Sequence, residues 1–354
     1  MQLLLKDTPV LEIRDNGICD VLAYDLLPFG LRRETVTYAE FVEWASNRAL
    51  SIGRSHAKEI LNILRLSQNN RFAVCIACRG LSLEDAYWIR REDDPVSWAE
   101  INLFTHPLTL YVTEVSLSGQ NIRFAPATEA GTTIHTPELT TLGVSAKAWI
   151  REEDGLYLHK IGKYEIPADL ILEALQIPHI RYTRSEEQTV SPYLSNERRD
   201  WIDSVGEAMV RSALFTTEDL SLVTFEEFEQ YCLQNDRNPY EEARDTDETR
   251  YAEMLLADYL LNNTDRHKQN WGFFMDNASG RLAGYCPLFD HDQSFSAYQN
   301  VMSLTTDKQM SLYDAAVLAQ KHLQKDFSPL YAMDLPPFLN EAQWAAVLER
   351  ARRL

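Results

Sequence analysis

No run in the 354-residue sequence approaches the eighteen or more apolar residues of a membrane-spanning helix. The opening stretch, "MQLLLKDTPVLEIRD", meets charge too early for a signal peptide, so a cytoplasmic location is expected. Positive charge is scarce, with 34 Lys and Arg against 53 Asp and Glu and a net charge of −19. Phosphate backbones and anionic lipids repel a chain of that sign, so neither direct nucleic-acid binding nor membrane association is expected. There are only five cysteines, Cys19, Cys75, Cys78, Cys232 and Cys286, an odd and scattered set that argues against a secreted disulfide framework. The "CIAC" pair lacks a second Cys or His pair at ligand spacing. Its surroundings, "RFAVCIACRGLSL", read as a buried strand or helix rather than half a zinc site or a redox pair.

What is present is a globular composition, 45% hydrophobic, with length enough for two or three domains. Residues 1–124 mix β-like runs such as "LLLKDTPVLEIR" with two helical stretches, "TYAEFVEWASNRAL" and "SHAKEILNILRL". Arg48, Arg54, His56, Lys58 and Arg65 make the second stretch locally basic, and in an acidic chain they read as a solvated helical face rather than a helix-turn-helix. "APATEAGTTIHTPEL", residues 125–139, is rich in Thr, Pro and Ala and reads as a linker.

Beyond it, Lys147 to Ile150 and Leu156 to Ile161 flank the turn signal "EEDG" and predict a hairpin. "YEIPADLILEALQIPHI" has helical spacing at Ile166, Leu170, Leu172, Leu175 and Ile177, with Pro167 in its first turn. A strand over "EAMVRSALF" follows, then a helix over "TTEDLSLVTFEEFEQYCL" capped by Thr217 or Asp219. "TRYAEMLLADYLL" repeats apolar residues at helical spacing through Ala252, Leu255, Leu256, Tyr259 and Leu260. It delivers "NTDRHKQNWGFF" to a fixed place, and the hairpin "WGFFMDNASGRLAGYCPLF" leads on to "PLFDHDQSF".

Phosphoryl transfer from ATP needs a backbone loop over the phosphates, a Lys on a neighbouring strand, an acid to orient that Lys, and oxygen ligands for Mg²⁺. The sequence holds these in order. Gly143, Val144 and Ser145 lie in the turn "TTLGVSAK", Lys160 follows the hairpin turn, and Glu165 opens the next helix. Asp265 is placed to accept the proton of an attacking hydroxyl, Asn270 lies five positions later, and Asp290 follows the second hairpin as a further metal ligand. That Asp-x4-Asn interval equals the one in the protein-kinase catalytic loop. Lys147 reads equally as a phosphate contact or a solvated strand residue, and Glu173 is a second candidate partner for Lys160. His267 reads as a brace of its loop, and His291 and Asp292 as an extension of the metal site or a solvated loop.

From about Thr140 to the end the chain resembles the HipA-like serine/threonine kinases, an atypical branch of the protein-kinase fold. "GVSAK" is similar to that family's phosphate loop (Gly-Ala-Gln-x-Lys), "YEIPADLILEALQIPHIRY" to its Glu-bearing helix, "NTDRHKQN" to its Asp-x-His-x-x-Asn catalytic loop and "PLFD" to its metal-binding segment. "LSLEDAYWI" and the Trp98 to Phe104 stretch look like the N-terminal regions of such bacterial proteins. The resemblance implies an α+β, protein-kinase-like bilobal fold. It would have a small β-rich lobe over 140–215, a large helical lobe over 216–354, and an extra N-terminal α/β accessory or regulatory region over 1–124. It implies ATP and Mg²⁺ as cofactors, a protein substrate and an antitoxin-like or regulatory partner. It also implies a Lys160–Glu165 ion pair that positions ATP, Asp265 as the catalytic Asp, and Mg²⁺ on Asn270 and Asp290. Thr140, three positions before Gly143, with Thr141 beside it, matches a place where the family can autophosphorylate; the alternative is that both simply start a strand.

The sequence departs from the family at Val144-Ser145, where Ala-Gln is usual, and has neither a full G-x-G-x-x-G nor an Ala-Pro-Glu segment. Two other classes stay open. A metal-dependent phosphohydrolase would use Asp265, His267, Asp290, His291 and Asp292, and a pseudokinase-type regulator would bind nucleotide without turnover.

Overall fold

The computed structural model describes residues 1–92, 94–120 and 134–354. Residues 125–133 of the expected linker lie outside the described residues. The fold is mixed α/β, as expected. It divides into two units, one of Met1–Ile161, Ser185–Leu222 and Met275–Leu282, the other of Gly162–Arg184, Val223–Phe274 and Ala283–Leu354. No helix among the described residues is long and apolar enough to cross a membrane.

In the first unit, Gln2–Leu5 is paired antiparallel with both Thr8–Ile13 and Tyr87–Arg90, and Cys19–Val21 closes the edge. Leu3, Leu4, Val10, Leu11 and Trp88 from these strands are fully buried. The helix Tyr38–Arg48 starts at a capping box in which Thr37 and Glu40 satisfy each other's backbone, and it buries Phe41, Trp44 and Ala45 at i, i+3 and i+4. "CIAC" falls on and just after the helix Arg71–Ala77, with Cys75 and Cys78 buried and unbridged. Burial pushes both thiols up, Cys78 to about 11, which suits inert core residues.

The expected hairpin is present as Lys147–Arg151 antiparallel to Leu156–Ile161, with Met209–Ala213 on the far side of the second strand. One face of these strands, through Ala148, Ile150, Ile161 and Met209, packs with Leu117, Val190, Leu194 and Ile202. Side chains alternate across a strand, so the opposite face is left to Lys147 and Lys160, which stand directly opposite one another.

In the second unit, Glu165–Ala174 is helical with Pro167 in its first turn. The helix stops short of Leu175 and Ile177, because Gln176 adopts a left-handed backbone (φ 52). At the end of the first unit's Ser185–Leu222 segment, Thr217 and Asp219 cap no helix; they form a turn before the strand Leu220–Thr224, whose β-favouring "LSLVT" run outcompetes helix. The helix Phe225–Gln234 is instead capped by Thr224, which accepts from the Glu227 N–H. Glu248–Leu261, capped by Asp247 and ended by left-handed Asn262, is buried along its whole length from Tyr251. Leu312–Leu323 and Glu341–Arg352 pack on it.

Gly272 lies at a close backbone approach in this unit. A Cβ there would stand 2.1 Å from the Val223 carbonyl oxygen, a rigid main-chain atom. Gly272→Ala is therefore expected to cost about 1–3 kcal/mol, as overpacking does. Gly155→Ala, whose nearest neighbour would be 4.0 Å away, is expected to stay within about 0.5 kcal/mol. Urea unfolding of the two variants, followed by circular dichroism, checks the contrast.

Candidate functional site

The stretch before the first hairpin folds as a turn, not as the start of a strand. Pro137–Leu139 forms a buried single turn whose Pro137 carbonyl accepts from the N–H groups of Thr140 and Thr141. Thr140 Oγ1 donates to the Leu81 carbonyl (2.6 Å), and Thr141 Oγ1 donates to Pro137 O while accepting from Trp149 Nε1. Both threonines are buried. The first strand residue is Lys147, so the β-start alternative for the Thr pair is not what the backbone does.

Gly143, Val144 and Ser145 form a bend in which Gly143 and Val144 are exposed. Gly143 has a left-handed backbone (φ 93), and a Cβ there would lie 2.4 Å from Lys147 Nζ, so only glycine lets the ammonium sit against the loop. Lys147 is buried, which removes the solvated-strand reading. Lys160, opposite it, is buried as well. Like charges facing each other across a strand pair repel. Among the described residues, the N–H groups of Gly143, Val144 and Ser145 have no protein acceptor. Glu84 joins this neighbourhood: burial pushes its carboxyl up to about 7, Asp85 adds to the shift, and Arg48 and Lys147 oppose it.

In the second unit the loop Asn263–Asn270 is organised by Arg266, a buried side chain that the sequence reading passed over. Its Nε donates to Asp258 Oδ1 (3.1 Å) on the preceding helix, and its Nη1 donates to the carbonyls of Asn270 (2.8 Å) and Phe289. Its Nη2 donates to His291 Nδ1 at 3.0 Å. Asn263 completes the knot, donating to Asp258 and accepting from the Asp265 N–H. The available signal was an acid and an Arg eight positions apart across a helix end. Burial pushes the Asp258 carboxyl up and Arg266 pulls it back.

The knot leaves Asp265 at the surface, its side chain 49% exposed. Asn270 Nδ2 donates to the Asp265 carbonyl (2.9 Å), which leaves Oδ1 as its acceptor end. His267 accepts from the Gln269 N–H through Nδ1 and stands 4.0 Å from Asp265, a brace within the loop. Asp290 adopts a left-handed backbone (φ 59), unusual for a residue with a side chain, between Phe289 and His291, which Arg266 grips. Glu165 is buried and its Oε2 accepts from the His291 N–H (3.0 Å), so the helix-opening acid and the Asp-His-Asp segment meet. His291 is buried, so neither part of its expectation holds: it is not in a solvated loop, and its Nδ1 is spent on a cation. Asp292 is half-buried. Glu173 is turned to solvent, 61% exposed and paired with Arg181.

Asp265, Asn270 and Asp290 supply hard oxygen atoms, the donor type Mg²⁺ takes from protein alongside substrate phosphates. Among the described residues no three His, Cys, Asp or Glu converge as a closed metal cage would require.

No family model and no curated protein matches the sequence. Several solved structures do. A Helicobacter pylori proinflammatory kinase, CtkA, is 18% identical with a TM-score of 0.43, over 58% of this chain and 89% of its own. The HipA of a Shewanella oneidensis MR-1 toxin–antitoxin complex with HipB and operator DNA is 13% identical with a TM-score of 0.57, over 99% of this chain and 95% of its own. At that identity the likeness speaks to fold, and the chain has the kinase-like bilobal fold of HipA over nearly its entire length.

Proposed function

We propose that this chain is an ATP- and Mg²⁺-dependent HipA-like serine/threonine protein kinase that transfers the γ-phosphate to a protein hydroxyl. The observation that carries the reading is the Arg266 knot, which holds the backbone of Asn270 and of Phe289 on one guanidinium and leaves Asp265 exposed beside them. In this reading Asp265 accepts the hydroxyl proton and aligns the attacking oxygen. Asn270 and Asp290 would hold Mg²⁺, which would supply positive charge to offset the negative charge on the transferred phosphate. Lys160, oriented by Glu165, and Lys147, under Gly143, bind phosphate oxygens, and the free N–H groups of Gly143 to Ser145 cradle them. Residues 140–215 serve as the small lobe and 216–354 as the large one, with 1–124 as an accessory region.

The phosphohydrolase alternative asks His291 to bind metal, and Arg266 occupies its Nδ1. The HipA relative is seen with HipB and DNA; for this chain we assign a cytoplasmic location, a protein substrate and a regulatory protein partner, and no direct contact with nucleic acid. Autophosphorylation at Thr140 or Thr141 would act as an off-switch. Both hydroxyls point into buried hydrogen bonds, so the kinase reaction can reach them only after the 137–147 segment swings out, which would dismantle the phosphate loop.

Asp265→Ala is expected to lower the phosphoryl-transfer rate at least about a hundredfold while keeping the thermal stabilisation given by Mg·ATP. Turnover near that of the parent would contradict the assignment. Asp290→Ala is expected to lose the Mg²⁺-dependent part of ATP stabilisation, since Asn270 alone cannot replace a charged ligand. Thermal-shift titrations with ATP, with and without Mg²⁺, read this directly, and an unchanged metal dependence would place the ion elsewhere.

A further inference from the structure

Arg54 was expected on a solvated basic face, yet it is 3% exposed, and it lies in the N-terminal region. Its guanidinium donates from Nη1 to the carbonyls of Glu138 (2.9 Å) and Thr141 (3.1 Å), and from Nη2 to the carbonyl of Lys147. The next residue, Ser55, donates its N–H to the Val144 carbonyl at 2.8 Å. Residues 54 and 55 therefore grip the bend before it, at its apex and after it. We infer that the Arg54–Ser55 turn positions the nucleotide phosphates by aiming the N–H groups of the 142–146 loop outward.

The geometry follows from the peptide unit. Across a trans peptide the C=O and N–H point opposite ways. With the Thr141 carbonyl drawn onto Arg54, the Leu142 N–H faces away from it, and with the Val144 carbonyl drawn onto Ser55, the Ser145 N–H does the same. A guanidinium suits this task because its rigid fork reaches several carbonyls at fixed angles, which an ammonium cannot do. Burying a cation among carbonyls is costly unless the arrangement returns something. Burial lowers the Arg54 pKa to about 10, so the side chain stays charged at neutral pH and lies behind a loop that meets anions. Nearby, the Glu138 carboxylate accepts from the Trp149 N–H, tying the same segment to the first strand of the hairpin. Residues 1–124 would then complete the nucleotide site from behind rather than serve only as an accessory. Arg54 is thus a positioning residue and not a catalytic one.

The inference rests on the nucleotide-binding reading, and the test separates the two. The full-length parent, Arg54→Lys and Ser55→Pro are titrated calorimetrically with Mg·ATP, Mg·ADP and adenosine, and circular dichroism confirms that each is folded. The expected result is a loss of at least about tenfold in affinity for both phosphorylated ligands in either folded variant, as a displaced binding loop produces, with adenosine affinity unchanged. A merely structural role for Arg54 would weaken all three ligands together, and parental ATP affinity in a folded variant would overturn the inference. If the parent itself does not bind Mg·ATP, the kinase reading fails first. Hydrogen exchange on the parent needs no variant: Mg·ATP, but not adenosine, is expected to slow exchange in 141–147 and at 54–57 together, and protection confined to 141–147 would contradict the clamp.

Discussion

The second unit is organised around one buried ion pair, Arg266 with Asp258. Moving both charges out of water costs several kcal/mol each, and attraction alone does not return it unless the remaining donors are used. Here they are used: the same guanidinium reaches Asn270 O, Phe289 O and His291 Nδ1. The consequence is spatial. The loop that carries Asp265 and Asn270 and the segment that carries Asp290 are separated by a hairpin in sequence, yet they share one rigid anchor. Removing either charge from such a pair strands the other in the interior, a loss of about 3–5 kcal/mol. In the proposed kinase, groups held that way need no reorganisation when a substrate arrives.

The first unit solves a related problem with backbone instead of side chains. Among the described residues, the N–H groups of Gly143, Val144 and Ser145 have no protein acceptor, while carbonyls of the same stretch are bound. Arg54 and Ser55 bind those carbonyls, Gly143 supplies a left-handed backbone, and Lys147 uses the space that a side chain at Gly143 would fill. In both units a buried Arg that binds main-chain carbonyls shapes a loop, and the residues proposed to carry the chemistry sit at its edge.

Much of this was legible in the sequence where the signal was local. The "EEDG" turn and the runs around it placed the hairpin to the residue at its start, and the spacing of Ala252, Leu255, Leu256, Tyr259 and Leu260 placed the helix that carries Asp258. The order Gly143, Lys160, Glu165, Asp265, Asn270, Asp290 stood out because the proposed phosphoryl transfer demands those residue types. What was not legible depends on distant partners. Arg54 and Arg266 look like ordinary surface charges until the carbonyls 84 and 23 positions away fold against them. Lys147 and His291 were ambiguous for the same reason, since burial is a property of the fold. Thr217 and Asp219 were misread because cap residues are also turn residues, and the β-favouring stretch after them decided between the two.

Transfer of label from γ-labelled ATP tests the central claim most directly. The full-length chain is incubated with it, with and without Mg²⁺ and in the presence of cell lysate, and the products are resolved into phosphoprotein and free phosphate and mapped by mass spectrometry. The account predicts Mg²⁺-dependent label on serine or threonine of protein. Free phosphate without phosphoprotein, or bound ATP left intact, would contradict it.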